Sequence, residues 1–353
     1  MTQTRLAPVI DGHVDFLEAC EVEQRDFLER SEHGHVDLPR ALEGGLGALF
    51  ASVYLRPSQV EINPLGYAMK YLDDLLRMID RSHGDLELIR DADQLAANLA
   101  SDALGLILHL EGAEPISPSL KELRVLYEVG VRSIGLVHAR RNIFGAGVPI
   151  PWATTGNIHG IPRSMHDYGL RNNRQLPVAV QGLTDLGREL VWECQRLGIV
   201  VDVSHLTGQG FDDVLEAAVL PVIASHSCAH ALSPHPRNLT DEQLKRLAAN
   251  GGVVGMNFMV VFLRPDMQRD ADVPIDLILE HIDHVVQTVG DEHVGFGTDF
   301  DGAVMPKSVS DATKMPEVVQ AMHTQLGYSD ERVARVCHGN FERVLRAAWA
   351  GTS

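Results

Sequence analysis

Short apolar runs that alternate with amphipathic stretches are the feature that most constrains how this chain of 353 residues can fold. Each run has the length and the nearly continuous apolar character of a strand that is buried on both faces of a parallel sheet. The stretches between the runs carry apolar residues at helical spacing, as helices that cover such a sheet do. We predict eight strands, at residues 8–11, 47–54, 104–110, 131–137, 199–204, 221–225, 253–258 and 294–298. Eight repeats favour a closed (β/α)8 barrel of the TIM type over an open sheet.

Two of the amphipathic stretches, LTDLGRELVWECQRLG and LTDEQLKRLAANGG, also carry signals for helix ends. Thr184 and Asp185, and likewise Thr240 and Asp241, stand ahead of an apolar helical pattern, as N-caps do. Gly198 and Gly251 stand where the same helices would end, since glycine adopts the left-handed conformation at low cost. These signals predict helices that begin near residues 185 and 241.

The division of the chain into domains is read from its composition. No change of composition and no Gly/Ser linker divides it, so we expect one catalytic domain over residues 1–353. The segment at about 139–182 is rich in Pro, Gly, Arg and Asn and is too long for an ordinary loop between a strand and a helix. We predict that it is a loop insertion and a candidate lid or rim over the site.

Polar side chains occur at or just past the ends of five of the predicted strands. The six candidates for metal ligands are His13, Asp15, Glu111, His205, His226 and Asp299. Because the carboxyl ends of all strands in a parallel barrel meet on one face, these side chains should converge there. Taken singly each is ambiguous, since a histidine at a strand end is often a core residue bonded to backbone. Their conjunction predicts a metal-dependent active site.

The residue types indicate which metals and which chemistry are expected. His13 and Asp15 lie two apart in an extended segment and share a face, so both can reach one cation. Glu111 ends a buried strand, where a carboxylate is costly unless a cation or hydrogen bonds offset the desolvation, and it is the candidate bridge between two ions. Asp299 and Asp301 point the same way after the last strand, so either can be the remaining ligand.

Nitrogen and oxygen ligands without a thiolate suit zinc, and manganese or cobalt can substitute for it. A pair of such ions lowers the pKa of a bound water towards about 7, which serves hydrolysis. Cys228 lies close to His226 but is not needed as a ligand, so we expect it to be a core residue.

Charge and composition exclude other classes of protein. The net charge of −18 and the absence of Lys/Arg clusters argue against nucleic-acid binding. No apolar run is long enough to cross a membrane, and no secretion signal precedes the first strand, so we expect a cytoplasmic protein without a membrane partner. The four cysteines are widely separated, so neither a disulfide framework nor a zinc knuckle is expected.

Several long motifs in a fixed order resemble one known family from end to end. They are DGHVD, LHLEGAE, GVRSIGLVH, GLTDLGRELV, GIVVDVSH, ASHSCAHALSPHPRNLTDEQLKRLAANGGVVGMNF, VGFGTDFDG and CHGNFERVL. They are similar to motifs of the membrane (renal) dipeptidases and their bacterial relatives, a branch of the amidohydrolase-like barrels. The resemblance implies a (β/α)8 barrel with two zinc ions per chain and a small dipeptide as substrate.

The resemblance also implies roles for individual residues. It gives His13 and Asp15 to one ion, His205 and His226 to the other, and makes Glu111 the bridge. It further implies that Asp299 binds the first ion and acts as the acid/base, that His138 contacts the substrate and stabilises the oxyanion, and that Arg237 holds the terminal carboxylate. It suggests an L-Xaa-D-Xaa dipeptide and is compatible with a homodimer.

The chain departs from the family pattern at two places. Val14 stands where the family has an Asn between the His and the Asp, and the loop after His138 is longer. Two other functions therefore remain open: a deacylase or lactonase on the same two-metal barrel, or a catalytically silent binding homologue. The first usually has H-x-H on strand one and a carboxylated Lys on strand four, where this chain has H-x-D and His138. The second would lack ligands, and none is missing.

Overall fold

The eight predicted strands all form, and they close into a parallel barrel. The structure is a computed structural model that describes residues 7–149 and 181–350. Its strands are β1 (Val9–Val14), β2 (Leu46–Tyr54), β3 (Leu86–Leu88), β4 (Leu104–Glu111), β5 (Val131–Gly135), β6 (Val200–Asp202), β7 (Ile223–Ser227), β8 (Val253–Met256) and β9 (Val294–Phe296). They are ordered β2-β1-β9-β8-β7-β6-β5-β4, and β4 pairs back onto β2, which closes the ring. The predicted barrel fold is confirmed.

Strand β3 is the one strand of the described chain that the sequence pattern did not predict. It is three residues long, and only Leu86 in it is fully buried, so it lacks a continuous apolar run. It pairs with the first half of β4, whereas β5 pairs with β4 from Leu108 onwards. Strand β3 therefore lies outside the ring of eight and does not change the barrel.

Helices cover the outside of the barrel between the strands. In the described residues they are α1 (Phe16–Glu23), α2 (Leu38–Glu43), α3 (Pro57–Ile62), α4 (Pro64–Arg81), α5 (Ala92–Leu99), α6 (Lys121–Val129), α7 (Asp185–Leu197), α8 (Gly208–Ala217), α9 (Asp241–Ala249), α10 (Val260–Leu263), α11 (Ile275–Val289), α12 (Met315–Thr324), α13 (Asp330–Ala334) and α14 (Asn340–Trp349). A π-helical turn, Arg335–Gly339, joins the last two. No helix in this part of the chain is long and apolar enough to span a membrane.

The predicted N-caps of α7 and α9 and the predicted C-cap of α7 are present, whereas α9 is capped by Asn250, one residue before the predicted Gly251. The side chains of Thr184 and Thr240 accept hydrogen bonds from the backbone N–H groups of Gly187 and Gln243. Gly198 ends α7 in the left-handed conformation, with a φ of 77°. These caps satisfy backbone groups that a helix end would otherwise leave without partners.

Helix α14 seals the end of the barrel opposite to the predicted site. Its Phe341 and Leu345 pack in one buried cluster with residues near the beginnings of the strands, such as Ile10. A Cβ placed at Gly12 or Gly295 would lie 2.6 or 2.8 Å from the ring of Phe341, so only glycine allows the ring to approach there. In the described residues, α14 thus closes the amino-terminal end of the barrel.

The predicted loop insertion at 139–182 falls largely outside the described residues. Its first part folds back on itself through an isolated bridge between Arg141 and Ala146, and a bridge between Gly147 and Leu206 joins it to the residues after β6. These contacts keep the beginning of the segment beside the ends of β5 and β6.

Candidate metal centre

The structure brings together all six side chains that the sequence predicts as metal ligands. His13 lies within β1, Glu111 ends β4, His226 lies within β7, and the others follow β1, β6 and β9 directly or after a short turn. None of the six is more than 8% exposed. Ionisable groups are rarely buried to this degree without partners, so this cluster requires a chemical explanation.

The carboxylate of Glu111 occupies the centre of the cluster. Its Oε1 lies 3.5 Å from Nε2 of His13 and 3.0 Å from Nε2 of His205. The corresponding distances are 3.8 Å to His226 and 3.7 Å to His138. One carboxylate oxygen therefore faces four imidazole nitrogens that come from four different strand ends.

Two aspartates lie on the β1 side of this centre. Asp15 Oδ2 is 3.5 Å from His13 Nε2, and ligand atoms of His13, Asp15 and Asp299 all lie within 4.8 Å of one another. The amide of Asn257 donates a hydrogen bond of 3.0 Å to Asp299 Oδ2. Glycine is required beside these carboxylates, because a Cβ at Gly302 would collide with both Asp15 and Asp299.

The structure separates Asp299 from Asp301, which the sequence left as alternatives. Asp301 is held by the guanidinium of Arg25 and by the backbone N–H of His35. Its own backbone N–H donates to Nδ1 of His35. Asp301 is therefore bonded away from the cluster, and Asp299 faces it.

The net effect of burial and of the charges crowded at the centre is to raise the pKa values of Glu111, Asp299 and His13. Burial, together with the nearby charge of Asp15, raises the pKa of Glu111 well above its ordinary value and that of Asp299 to about 7. Burial alone would lower the pKa of His13, but Asp15 and Glu111 raise it to about 10. The carboxylates thus favour positive charge at the position of His13, which a metal cation would supply as well as a proton.

The other two histidines are held neutral. Burial lowers the pKa of His205 well below its usual range, and the charge of Arg237 acts in the same direction. Burial likewise lowers the pKa of His226, as do His13 and Arg237. A neutral imidazole is the form that binds a metal ion.

Several polar atoms of the cluster have no hydrogen-bond partner within residues 7–149 and 181–350. They are both ring nitrogens of His13, Nδ1 of His205 and Oδ1 of Asp15. Buried polar atoms are normally satisfied, so such a group of nitrogen and oxygen atoms fits a metal ion better than it fits a protein core. The donor set contains no thiolate and suits divalent cations of the zinc type.

The backbone at two of the predicted ligands is in an uncommon conformation. His205 and Asp299 have φ values of 68° and 66°, which place them in the left-handed region. Such a conformation is costly for residues other than glycine and is concentrated at functional sites. It turns each side chain towards the cluster immediately after its strand.

The two further residues that the sequence singled out also border the centre. The ring of His138 lies 4.3 Å from that of His205 and 4.8 Å from that of Tyr54, measured between centroids. Arg237 is only 3% exposed, and its Nη2 donates a hydrogen bond of 3.3 Å to the carbonyl of His226. Its Nε has no partner in the described part of the chain, so a buried cation here still has a donor to offer.

Asn257 and Ser52 contact the cluster and were not predicted from the sequence. Asn257 directly follows the apolar strand β8, so the signal that revealed the ligands also marks this residue. Ser52 Oγ donates to Oε2 of Glu111 over 3.4 Å, but it lies within β2 among apolar neighbours, and no local pattern distinguishes it. Cys228, as expected, is a core residue, and its thiol donates to the carbonyl of Asn257.

A parallel barrel that gathers buried histidines and carboxylates at the carboxyl ends of its strands is the architecture of metal-dependent hydrolases. The comparisons with known proteins agree with this class. The family model described as membrane dipeptidase, peptidase family M19, matches residues 3–161 and 163–351. The chain belongs to the membrane dipeptidase family.

Individual relatives cover nearly the whole chain. A solved metallo peptidase named dipeptidase AC is 34% identical, with a TM-score of 0.84 over 98% of this chain and 99% of that one. A metallo peptidase from Rhodobacter sphaeroides, solved with a phosphinate mimic of the dipeptide L-Ala-D-Ala, is 33% identical, with a TM-score of 0.84 over 98% of this chain and 100% of that one. Dipeptidase tcpJ of Claviceps purpurea is 32% identical over 95% of this chain and 76% of its own length.

Proposed function

We propose that this chain is a zinc dipeptidase that hydrolyses the single amide bond of an L-Xaa-D-Xaa dipeptide. The observation that carries the proposal is the position of Glu111, whose Oε1 lies 3.0–3.8 Å from four imidazole nitrogens. A carboxylate in this position can bridge two ions, which is the arrangement used for hydrolysis by metal-dependent barrels.

The two ions are given separate ligand sets. His13, Asp15 and Asp299 would hold the first, since their ligand atoms form one compact group. Compact groups also link His226 to His13 and His205 to His138 through Glu111. We give His205 and His226 to the second ion together because their Nε2 atoms lie 2.9 Å apart. Bound zinc would supply a water of lowered pKa and a positive charge beside the scissile carbonyl.

Asp299 is proposed to move the proton of the reaction. Burial and the neighbouring Asp15 raise its pKa to about 7 in the metal-free cluster, and a carboxylate that borders a metal-bound water can serve as the general base. The amide of Asn257 fixes its Oδ2 and thereby its orientation. Asp299 can then take a proton from the attacking water and pass it to the leaving amine.

His138 is proposed to stabilise the oxyanion. Its Nε2 is 3.7 Å from Glu111 Oε1, so it borders the centre on the side where a carbonyl oxygen would lie. Contacts with the tilted rings of His205 and Tyr54 limit how its ring can turn. A donor held in place before the charge develops lowers the barrier without reorganisation.

Arg237 is proposed to bind the carboxylate at the end of the substrate. Burial of its guanidinium would be costly without a counter-ion, and a substrate carboxylate would be one. Two parallel hydrogen bonds would fix the carboxylate one residue away from the scissile amide. A substrate that must end there is cleaved before its last residue, which excludes internal segments of a protein and is compatible with a dipeptide. The D-residue in the ligand of the Rhodobacter sphaeroides relative supports the proposed stereochemistry.

A library of dipeptides, screened with zinc-reconstituted protein, tests the proposal. It should contain matched L-Xaa-L-Xaa and L-Xaa-D-Xaa pairs, together with N-acyl amino acids and lactones. We expect cleavage of dipeptides with preference for a D-residue at the second position. Faster turnover of the N-acyl amino acids or lactones would identify a deacylase or lactonase instead. Binding without turnover of any compound would identify a silent homologue.

A further inference from the structure

Two buried aspartates make the same set of hydrogen bonds on opposite sides of the metal centre. Asp11 in β1 accepts from both the backbone N–H and the hydroxyl of Thr298, at 2.8 and 2.6 Å. Asp202 in β6 accepts from both the backbone N–H and the hydroxyl of Ser225, at 2.8 and 2.6 Å. Each aspartate therefore accepts two hydrogen bonds from one hydroxyl residue, Ser225 within β7 or Thr298 two residues past the end of β9.

The two aspartates also accept the same hydrogen bond from their own segment of backbone. Asp11 Oδ1 also accepts from the N–H of His13, two residues further on. Asp202 Oδ1 also accepts from the N–H of Ser204, again two residues further on. Both aspartates are almost fully buried. The same arrangement has thus been built twice in one barrel.

Each of the two hydroxyl residues directly precedes a proposed metal ligand. Thr298 precedes Asp299, and Ser225 precedes His226. Resting on the ligand assignment proposed above, we infer that Asp11–Thr298 and Asp202–Ser225 are two independent positioning clamps, one for each metal ion. The first would set the β1 and β9 ligands, and the second would set those that follow β6 and lie in β7.

The second clamp fixes the tautomer of His226. The hydroxyl of Ser225 has one proton, and its 2.6 Å contact with the carboxylate of Asp202 uses it. Towards Nδ1 of His226, 2.8 Å away, the same hydroxyl can only accept, so Nδ1 carries the proton. Nε2 is then left with its lone pair directed at Glu111 and His205, as a metal ligand requires.

The first clamp fixes the backbone around Asp299. The hydroxyl of Thr298 donates to Asp11 and accepts from the backbone N–H of Phe300 at 3.2 Å. It therefore holds the residues on both sides of Asp299, whose φ of 66° is unfavourable without such support. The clamp keeps the carboxylate of Asp299 turned towards the cluster.

The test measures how tightly each of two zinc equivalents is held, by dialysis against graded chelator and elemental analysis. Ser225→Ala and Thr298→Val remove the hydroxyls with little change of shape. We expect each to weaken one of the two equivalents by about 10- to 100-fold, the usual effect of removing a partner of a metal ligand, and to leave the other unchanged. The double variant should lose both, because the clamps serve different ions.

Two control variants match these changes in chemistry. Ser227→Ala removes a hydroxyl from the same strand, buried but without a hydrogen-bond partner in the described residues, so it should bind zinc like the wild type. Thr298→Ser keeps the hydroxyl and should restore what Thr298→Val loses. Thermal unfolding in chelator checks that all variants are folded. Should Ser225→Ala not fold, Asp202→Asn, which keeps the shape of the acceptor, takes its place.

The possible outcomes distinguish a failure of the clamp proposal from a failure of the proposed function. If the wild type holds two zinc ions and both hydroxyl variants hold them as tightly, the clamps are refuted and the zinc dipeptidase is not. If both single variants weaken the same ion, so that the double variant still holds one, the assignment of one clamp to each ion is wrong. A wild type that binds no zinc and hydrolyses dipeptides in chelator overturns both proposals.

Discussion

Replacing Arg237 by methionine should separate substrates that end in a carboxylate from those that do not. The guanidinium is 3% exposed, donates to the carbonyl of His226 and keeps its Nε without a partner in the described chain. Methionine fills much of the same volume but offers no charge and no donor. A dipeptide bound to this variant would bury its carboxylate without a counter-charge.

The size of the expected loss follows from the burial of the ion pair between Arg237 and the substrate carboxylate. Deleting one partner of a buried charged pair costs roughly 2–5 kcal/mol, much of it the penalty for the charge left behind. This corresponds to a loss of about 30-fold to several thousand-fold in kcat/KM for a free dipeptide. An amidated dipeptide has no charge to lose, so its kcat/KM should change little in the variant.

The assay compares kcat/KM for one dipeptide and its C-terminal amide in wild type and Arg237→Met, with Arg237→Lys as a further variant. Lysine keeps the charge but not the two parallel donors, so kcat/KM of Arg237→Lys for the free dipeptide should lie between the values of the wild type and of Arg237→Met. Circular dichroism and zinc content confirm that each protein is folded and loaded. An equal loss for both substrates, or a wild type that cleaves the amide as well as the acid, would refute the role of Arg237.

Four other outcomes are expected. Asp299→Asn should reduce kcat by about 10²-fold or more in stopped assays while circular dichroism is unchanged, because the amide cannot take up the proton. His138→Ala should lower kcat more than it raises KM, as initial rates over substrate concentration will show, if the ring acts on the oxyanion. Zinc affinity of the wild type should rise with pH through the neutral range, because Asp15 and Glu111 raise the pKa of His13 to about 10 and its proton competes with the first ion. Zinc retention that is constant with pH in dialysis would contradict this. Burial lowers the pKa of His281 from 6.5 to about 4. Folding should therefore lose about 3 kcal/mol as the pH falls from about 6.5 to 4, since only the unfolded chain takes up the proton, and His281→Leu should flatten this part of a denaturation series.

The sequence predicts the barrel and the ligand candidates for the same physical reason. A strand buried on both faces is mostly apolar, so an ionisable or amide side chain at or just past its end stands out, as His205 and His226 do. Strand β3 escapes this rule because it is short and half-exposed. Asn257 obeys it, and could have been found by applying the rule to β8 as well.

Features that depend on distant parts of the chain could not be predicted in this way. Asp299 and Asp301 are indistinguishable by alternation, and both have positive φ values that end the strand pattern. What separates them is the binding of Asp301 by Arg25 and His35, more than 260 positions away. The partner of Asp11 is likewise 287 positions distant, and no local pattern marks such a pair.

The closure of the barrel floor by α14 determines when the metal centre can come into existence. Phe341 packs against Gly12 in β1 and Gly295 in β9, so the first and last strands meet at a helix that is translated after both of them. His13 is translated long before Asp299, and long-range pairings of this kind form slowly. In a nascent chain that has not yet formed β9 and α14, the earlier histidine and carboxylate ligands are present but the complete metal site is not. Both ions can be held only after Asp299 and α14 have been translated, and damage to α14 should lower metal content although none of the six proposed ligands lies in it.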